Sequence, residues 1–148
     1  EVPARPALLG MILRLTGDET IRRYKPDRGS QNARDRVFDV AMSWFEGLAS
    51  RKAAIGHLYE GLKRDPLVLI AARDDALSVS GTMLALADAD DGPANLKALG
   101  LTLAIAHAVP AWLDDDRDLS RTMASLDADL RRGSAWLSRI TPKAKREA

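Results

Sequence analysis

Apolar residues recur along this chain at helical spacing, in six blocks separated by short polar breaks. The first block runs from about Pro6 to Tyr24 with Leu9, Ile12, Leu13 and Ile21 in phase. A proline suits its first turn, where the missing N–H would have no partner anyway. The polar stretch KPDRGSQN, residues 25–32, ends it. In the second block, ARDRVFDVAMSWFEGL, Val37, Ala41, Trp44 and Leu48 form a stripe with Phe38 and Phe45 beside it. So broad an apolar face predicts burial on more than one side. Ser50 can cap a short third helix bearing Ile55, Leu58, Tyr59 and Leu62. That helix should stop near Arg64, because Asp65 precedes Pro66 and is pushed out of helical geometry.

A fourth helix is predicted from Pro66 to about Ala87. Arg73, Asp74, Asp75, Ser78, Ser80 and Gly81 interrupt its apolar pattern, which predicts an amphipathic helix bent near Gly81. After DADDG, Pro93 opens a fifth helix that is nearly all apolar from Leu96 to Leu113. Neighbours are expected all round it, as the central helix of the bundle, with a kink at Pro110. The last helix carries Leu119, Met123, Leu126, Leu130, Gly133, Leu137 and Ile140 at alternating steps of four and three, the seam spacing of helices packed along their length. β-Branched residues never form a run, and Ala, Leu, Arg and Asp dominate, so no strand is predicted. The expectation is an all-α, compact bundle of about six helices forming one domain over residues 1–148.

WLDDDRDLSRT, at the start of the last helix, raises the sharpest chemical question. Three consecutive aspartates could be a metal site or a helix start. A metal site needs carboxylates converging on one ion, usually at alternate positions and with a turn glycine or a distant His or Glu, and none of these follows here. Aspartates ahead of a helix accept its free N–H groups and complement its positive end, and Arg131, Arg132 and Arg139 sit toward the other end as the dipole favours. The capping reading is preferred, with a tight junction between the fifth and sixth helices.

Composition changes this picture little. The 46% hydrophobic and 29% charged residues belong to an ordinary globular domain of 148 residues. A net charge of +1 gives no global field that would imply nucleic acid or membrane as a partner. With no Cys there is no disulfide framework, thiolate metal site or cysteine nucleophile, which suits a cytoplasmic protein. The window Ala94 to Leu113 is long enough to cross a bilayer, but Lys97, His107 and Pro110 favour a buried helix. The chain opens at Glu1 without Met or a basic-then-apolar leader, and so reads as a piece of a longer one. Only His57 and His107 are obvious general bases, and SVSGTM lacks the strand that a nucleophile elbow requires. No phosphate loop, dinucleotide fingerprint, zinc motif or calcium loop is present, so no catalytic residue, metal ligand or cofactor is expected, and the chain is not expected to be an enzyme.

ARDRVFDVAMSWFEGLASRKAAI, LKRDPL and above all AWLDDDRDLSRTMASLDADLRR resemble the C-terminal regulatory domain of TetR-type transcriptional regulators across nearly the whole chain. The likeness is to a subgroup with a Trp-Leu-Asp-Asp-Asp junction before a final helix bearing Thr-Met-Ala-x-Leu-Asp; the chain departs from it at His107 and Pro110. The resemblance implies that the first helix links an N-terminal helix-turn-helix to the core. That unit is not in this chain, since only five residues precede Pro6, so DNA would be contacted only through it.

The function expected on this basis is effector binding and dimerisation without bond chemistry. A small apolar or lipid-like ligand is expected in a cavity bordered by Phe38, Met42, Phe45, Leu77, Met83, Leu103 and His107. A homodimer is expected through Ile105, Trp112, Leu119, Met123, Leu126 and Leu130, with Ala124, Ala128 and Gly133 allowing close approach. The alternative is a TetR-fold lipid-binding accessory protein similar to the isoprenoid-binding proteins of ubiquinone biosynthesis. Its membrane helix would have to lie in SAWLSRITPKAKREA, which is short and broken at Pro142, so membrane contact is not expected.

Overall fold

The computed structural model describes residues 4–25 and 32–140, and the helices are named in chain order. They are α1 (Ala4–Arg23), α2 (Ala33–Gly47), α3 (Lys52–Arg64), α4 (Leu67–Ala71), α5 (Arg73–Leu86), α6 (Ala94–Asp114) and α7 (Ser120–Ile140), with one 3-10 turn over Ala49–Arg51. There is no strand among the described residues. Most of the polar break after α1 and the tail beyond Ile140, with Pro142 and the lysines that follow it, lie outside the described residues.

Local chemistry sets most of the boundaries. The Asn32 side chain accepts the Asp35 N–H at 2.9 Å and starts α2. Asp65, with φ −139° and ψ 83°, is extended ahead of Pro66 and stops α3. At the end of α5, Arg36 of α2 donates to the carbonyls of Ala87 and Asp88, occupying acceptors that the helix leaves open.

Among the described residues seven α-helices stand where about six were predicted, because the expected fourth helix is two. It breaks at Ala72 (φ −95°, ψ 3°), and α5 runs on through Gly81, where the bend was expected. The reason lies in the charged triplet that follows Ala72. Asp74 and Asp75 sit in the first turn of a new helix, where they complement its positive end, and Asp75 also pairs with Arg14 of α1 at 3.1 Å. The approach of α1 to α5 here is close: a Cβ on Gly10 would stand 2.3 Å from Asp75 Oδ2.

The central helix is α2, not α6. It packs against α1, α5 and α7, and its Val40, Ala41, Phe45 and Leu48 are closed off from solvent together with Met83 and Leu84 of α5, Ala108 and Trp112 of α6, and Leu126 of α7. Phe45 meets Trp44 edge-on at 5.0 Å between ring centroids and Trp112 at 5.9 Å. The Trp44 indole N–H donates to the buried Thr16 hydroxyl at 3.0 Å, which in turn donates to the Ile12 carbonyl at 2.7 Å, so no polar atom of that pair is stranded.

Helix α6 is enclosed on one side only, which corrects the expectation of neighbours all round. Ala98, Leu101, Ala104, Ile105, Ala108 and Trp112 face the core, whereas Asn95, Leu99, Leu103, Ala106 and His107 are exposed. The stretch Asn95–Asp114 is long and apolar enough to cross a membrane by length and composition, yet only 28% of it is buried within the fold. It remains helical through Pro110 to Asp114.

Candidate functional site

Helices α6 and α7 pack side by side, joined through residues 115–119, and the two ends of this hairpin are built differently. At the junction, Asp115 reaches past the turn. Its Oδ2 accepts the backbone N–H of Thr122 at 2.8 Å and the Thr122 hydroxyl at 2.9 Å, while Asp118 accepts the Ser120 N–H. Burial works to raise the Asp115 pKa, but the hydrogen bonds from Thr122, Asp116 and Arg121 outweigh it and hold the carboxyl below its ordinary value. Lys52 donates to the Asp115 carbonyl at 2.7 Å and lies 5.2 Å from the Trp112 ring centroid. Leu119 takes a left-handed conformation (φ 54°), which costs backbone strain but turns the chain within a few residues and packs its side chain on the core. Asp115 of the aspartate run and Asp118 after it thus cap the start of α7. Among the described residues no three His, Asp or Glu side chains converge where they could hold a metal ion.

The far end of the hairpin is open. Between the start of α2, the first half of α6 and the second half of α7 lies a groove of about 400 Å³. Val37, Leu84, Leu96, Leu99, Leu101, Leu103, Leu130, Trp136 and Leu137 line it, and Gly100 and Gly133 widen it. Its polar rim is Arg34, Lys97, Asp129 and Ser134. Asp129 binds His107 Nδ1 and, on its other oxygen, Arg132. Burial pushes its pKa up, while the His107 and Arg132 hydrogen bonds and the Arg132 charge pull it down and prevail.

The seven residues expected to border one cavity are not brought together. Met42, Phe45 and Met83 are buried in the single core, and Phe38 and Leu77 are half-buried against it. Leu103 is 61% exposed and lines the groove, and His107 is exposed on the outer side of α6 rather than inside the bundle. The six residues expected at a dimer interface also divide. Trp112 and Leu126, at 1% and 0% exposure, are sealed inside the protomer and Ile105 is buried; Leu119 and Leu130 are half-buried against the same core, and Met123 is exposed. A side chain that is sealed in the protomer's own core cannot also face a partner, so of these six only Met123 is fully open to one.

Leu96, Leu99, Lys97, Arg34 and Trp136 were not singled out from the sequence as a site. The available signal was a glycine in each helix, Gly100 in the apolar α6 and Gly133 on the seam of the amphipathic α7; a Cβ at either position would meet nothing within 4 Å. A second, more polar hollow between α3 and α6 is lined by Lys52, His57, Tyr59, Glu60, Lys63 and Pro110. Its cation Lys63 is held by Glu60 at 3.1 Å and by the Tyr59 ring at 4.6 Å.

No protein-family model matches the chain, and neither a curated protein nor a solved structure is similar enough to stand as a relative.

Proposed function

We propose that this chain is the effector-binding and dimerisation domain of a TetR-like transcriptional regulator that senses a small apolar ligand. The observation that carries the reading is the unpartnered apolar surface of the terminal hairpin. Leu99, Leu103, Met123, Trp136 and Ile140 are exposed on α6 and α7, and the first half of α6 and the second half of α7 open into a groove; Leu8, Met11, Leu15 and Ile21 of α1 are exposed as well. Apolar surface beside such a groove is where proteins bind partners or ligands. In this reading two copies pair through the outward faces of α6 and α7, and DNA is engaged by a domain not contained in this chain. A ligand acts only through its differential affinity for two arrangements of the helices, a coupling of about 1–3 kcal/mol in typical cases.

Sedimentation equilibrium tests the pairing. The wild-type chain is expected as a dimer and Leu103→Arg as a folded monomer, because each substitution appears twice in a two-fold interface. A dimer of unchanged affinity in Leu103→Arg would remove this surface from the reading. Leu126→Arg is unsuitable for the purpose, since it places a charge in the protomer core and unfolds the chain irrespective of pairing.

One observation favours the second reading, a lipid-binding accessory protein. Leu67, Leu69 and Ile70 of α4 are all exposed on a single short helix behind Pro66. Side chains of this kind can enter a bilayer interface. Co-sedimentation with anionic vesicles, abolished by Leu67→Ser with Ile70→Ser, would support it.

A further inference from the structure

The groove on the terminal hairpin restricts the chemistry of what can fill it. Its walls are hydrocarbon, with Val37, Leu84, Leu96, Leu101 and Leu130 among them, and its volume of about 400 Å³ falls within the usual range for small-molecule pockets. A purely apolar occupant would satisfy these walls but not the rim. There, two of the three charged groups are already committed. Asp129 is held by His107 and Arg132, and Lys97 donates to the Asp91 carboxylate at 3.0 Å and to the Ala89 carbonyl at 3.1 Å.

Arg34 differs. Its side chain is 31% exposed and its charge pairs loosely with the Asp35 carboxylate at 4.0 Å, beyond hydrogen-bond reach, but its Nε is buried and has no hydrogen-bond partner among the described residues. A buried guanidinium N–H without an acceptor is a costly arrangement that an anionic oxygen relieves, and guanidinium is the side chain best shaped for a carboxylate. Arg34 also lies in the first turn of α2, whose positive end favours an anion, with Asp35 offsetting part of that field.

We infer that the groove binds an amphipathic carboxylic acid, with its alkyl chain along the apolar walls between α6 and α7 and its carboxylate at Arg34. The inference rests on the reading of this domain as a binder of a small apolar ligand, and it adds the headgroup, the charge and the place.

Calorimetric titration of the whole chain with decanoate and with decanol tests it, using Arg34→Gln and Gly133→Phe. Position 133 is suited to filling the groove because an added Cβ there meets nothing within 4 Å. Gly133 is exposed and Arg34 partly so, and circular dichroism checks the helix content of both variants. The wild-type chain is expected to bind decanoate about tenfold more tightly than decanol, the scale of a charge-assisted hydrogen bond. Arg34→Gln should remove that preference by weakening the acid alone, and Gly133→Phe should weaken both. Equal binding of acid and alcohol, or decanoate affinity unchanged in Arg34→Gln, would overturn the carboxylate assignment while leaving the ligand-binding reading in place. Decanoate binding that is untouched in Gly133→Phe would overturn the groove as its site. If neither probe binds and Gly133→Phe alters the sedimenting mass, a second copy of the chain fills the groove and the inference fails. If neither binds and the mass is unaltered, the ligand-binding reading falls with it.

Discussion

The two ends of the α6–α7 hairpin are made of the same two helices with similar apolar content, yet one is sealed and the other is open. At the junction Trp112 and Leu126 are closed from solvent, and Asp115 ties the start of α7 down through both Thr122 donors. At the far end Leu99, Leu103 and Trp136 face a groove. The difference comes from the third body. Near the junction α2 supplies Phe45 and Leu48 and the following turn leads to Lys52, so the space beside the hairpin is filled. At the other end α2 begins only at Ala33, and α7 continues to Ile140 with exposed side chains at nearly every position from Arg131. An apolar stripe therefore states which face of a helix seeks cover, and its neighbours decide whether cover is there.

The largest effect is expected at the sealed end. Leu126→Ala should cost about 2–5 kcal/mol of unfolding free energy, the range for burying a cavity where a leucine was fully enclosed, read as a lower urea midpoint at constant slope. A loss below this range would mean that the junction relaxes as easily as the open end. A smaller destabilisation is expected from Asp115→Ala, which strands the Thr122 N–H and hydroxyl; its melting temperature should fall between those of Leu126→Ala and wild type.

Acid sharpens the same point. The folded pKa of Asp115 lies below its unfolded value, about 3.9 for a free aspartate, so the ionised carboxylate stabilises the fold above that range and its contribution is lost as the pH falls through the folded value. The stability gap between wild type and Asp115→Asn should narrow as the pH falls below about 4 and through the folded value of the carboxyl. A gap that is constant in pH would show that charge plays no part in the cap. The smallest effect belongs to the open end. Leu103→Ser and Trp136→Ala should each change the stability of the isolated protomer by no more than about 0.5 kcal/mol, because neither side chain is enclosed, while altering self-association or ligand uptake.

The boundaries legible in the sequence were those written in local chemistry. Asp65 before Pro66 ended a helix, Asp115 of the aspartate run capped α7, and the broad face of α2 meant burial on several sides. The break at Ala72 was also written locally, in Arg73-Asp74-Asp75, but those charges read equally well as the polar face of one long helix. The site was less legible. Met42, Phe45, Met83, Trp112 and Leu126 are large and apolar, and whether such residues line a cavity or fill a core depends on what lies opposite, which helix periodicity does not encode. Arg34 was invisible for the same reason. In the sequence it is one of several charges near the start of a helix, and only the packing leaves its Nε without an acceptor.

The three tryptophans divide between the two ends of the molecule, and this gives the protein a built-in optical reporter. Trp44 and Trp112 flank Phe45 in the dry interior, whereas Trp136 stands half in water beside the groove. The folded chain should therefore emit as a mixture, a blue component from the interior pair and a redder one from Trp136 that an added aqueous quencher removes first. Replacing Trp136 with Phe would leave fluorescence that follows unfolding alone, and the difference spectrum would follow events at the open end while the interior stays silent.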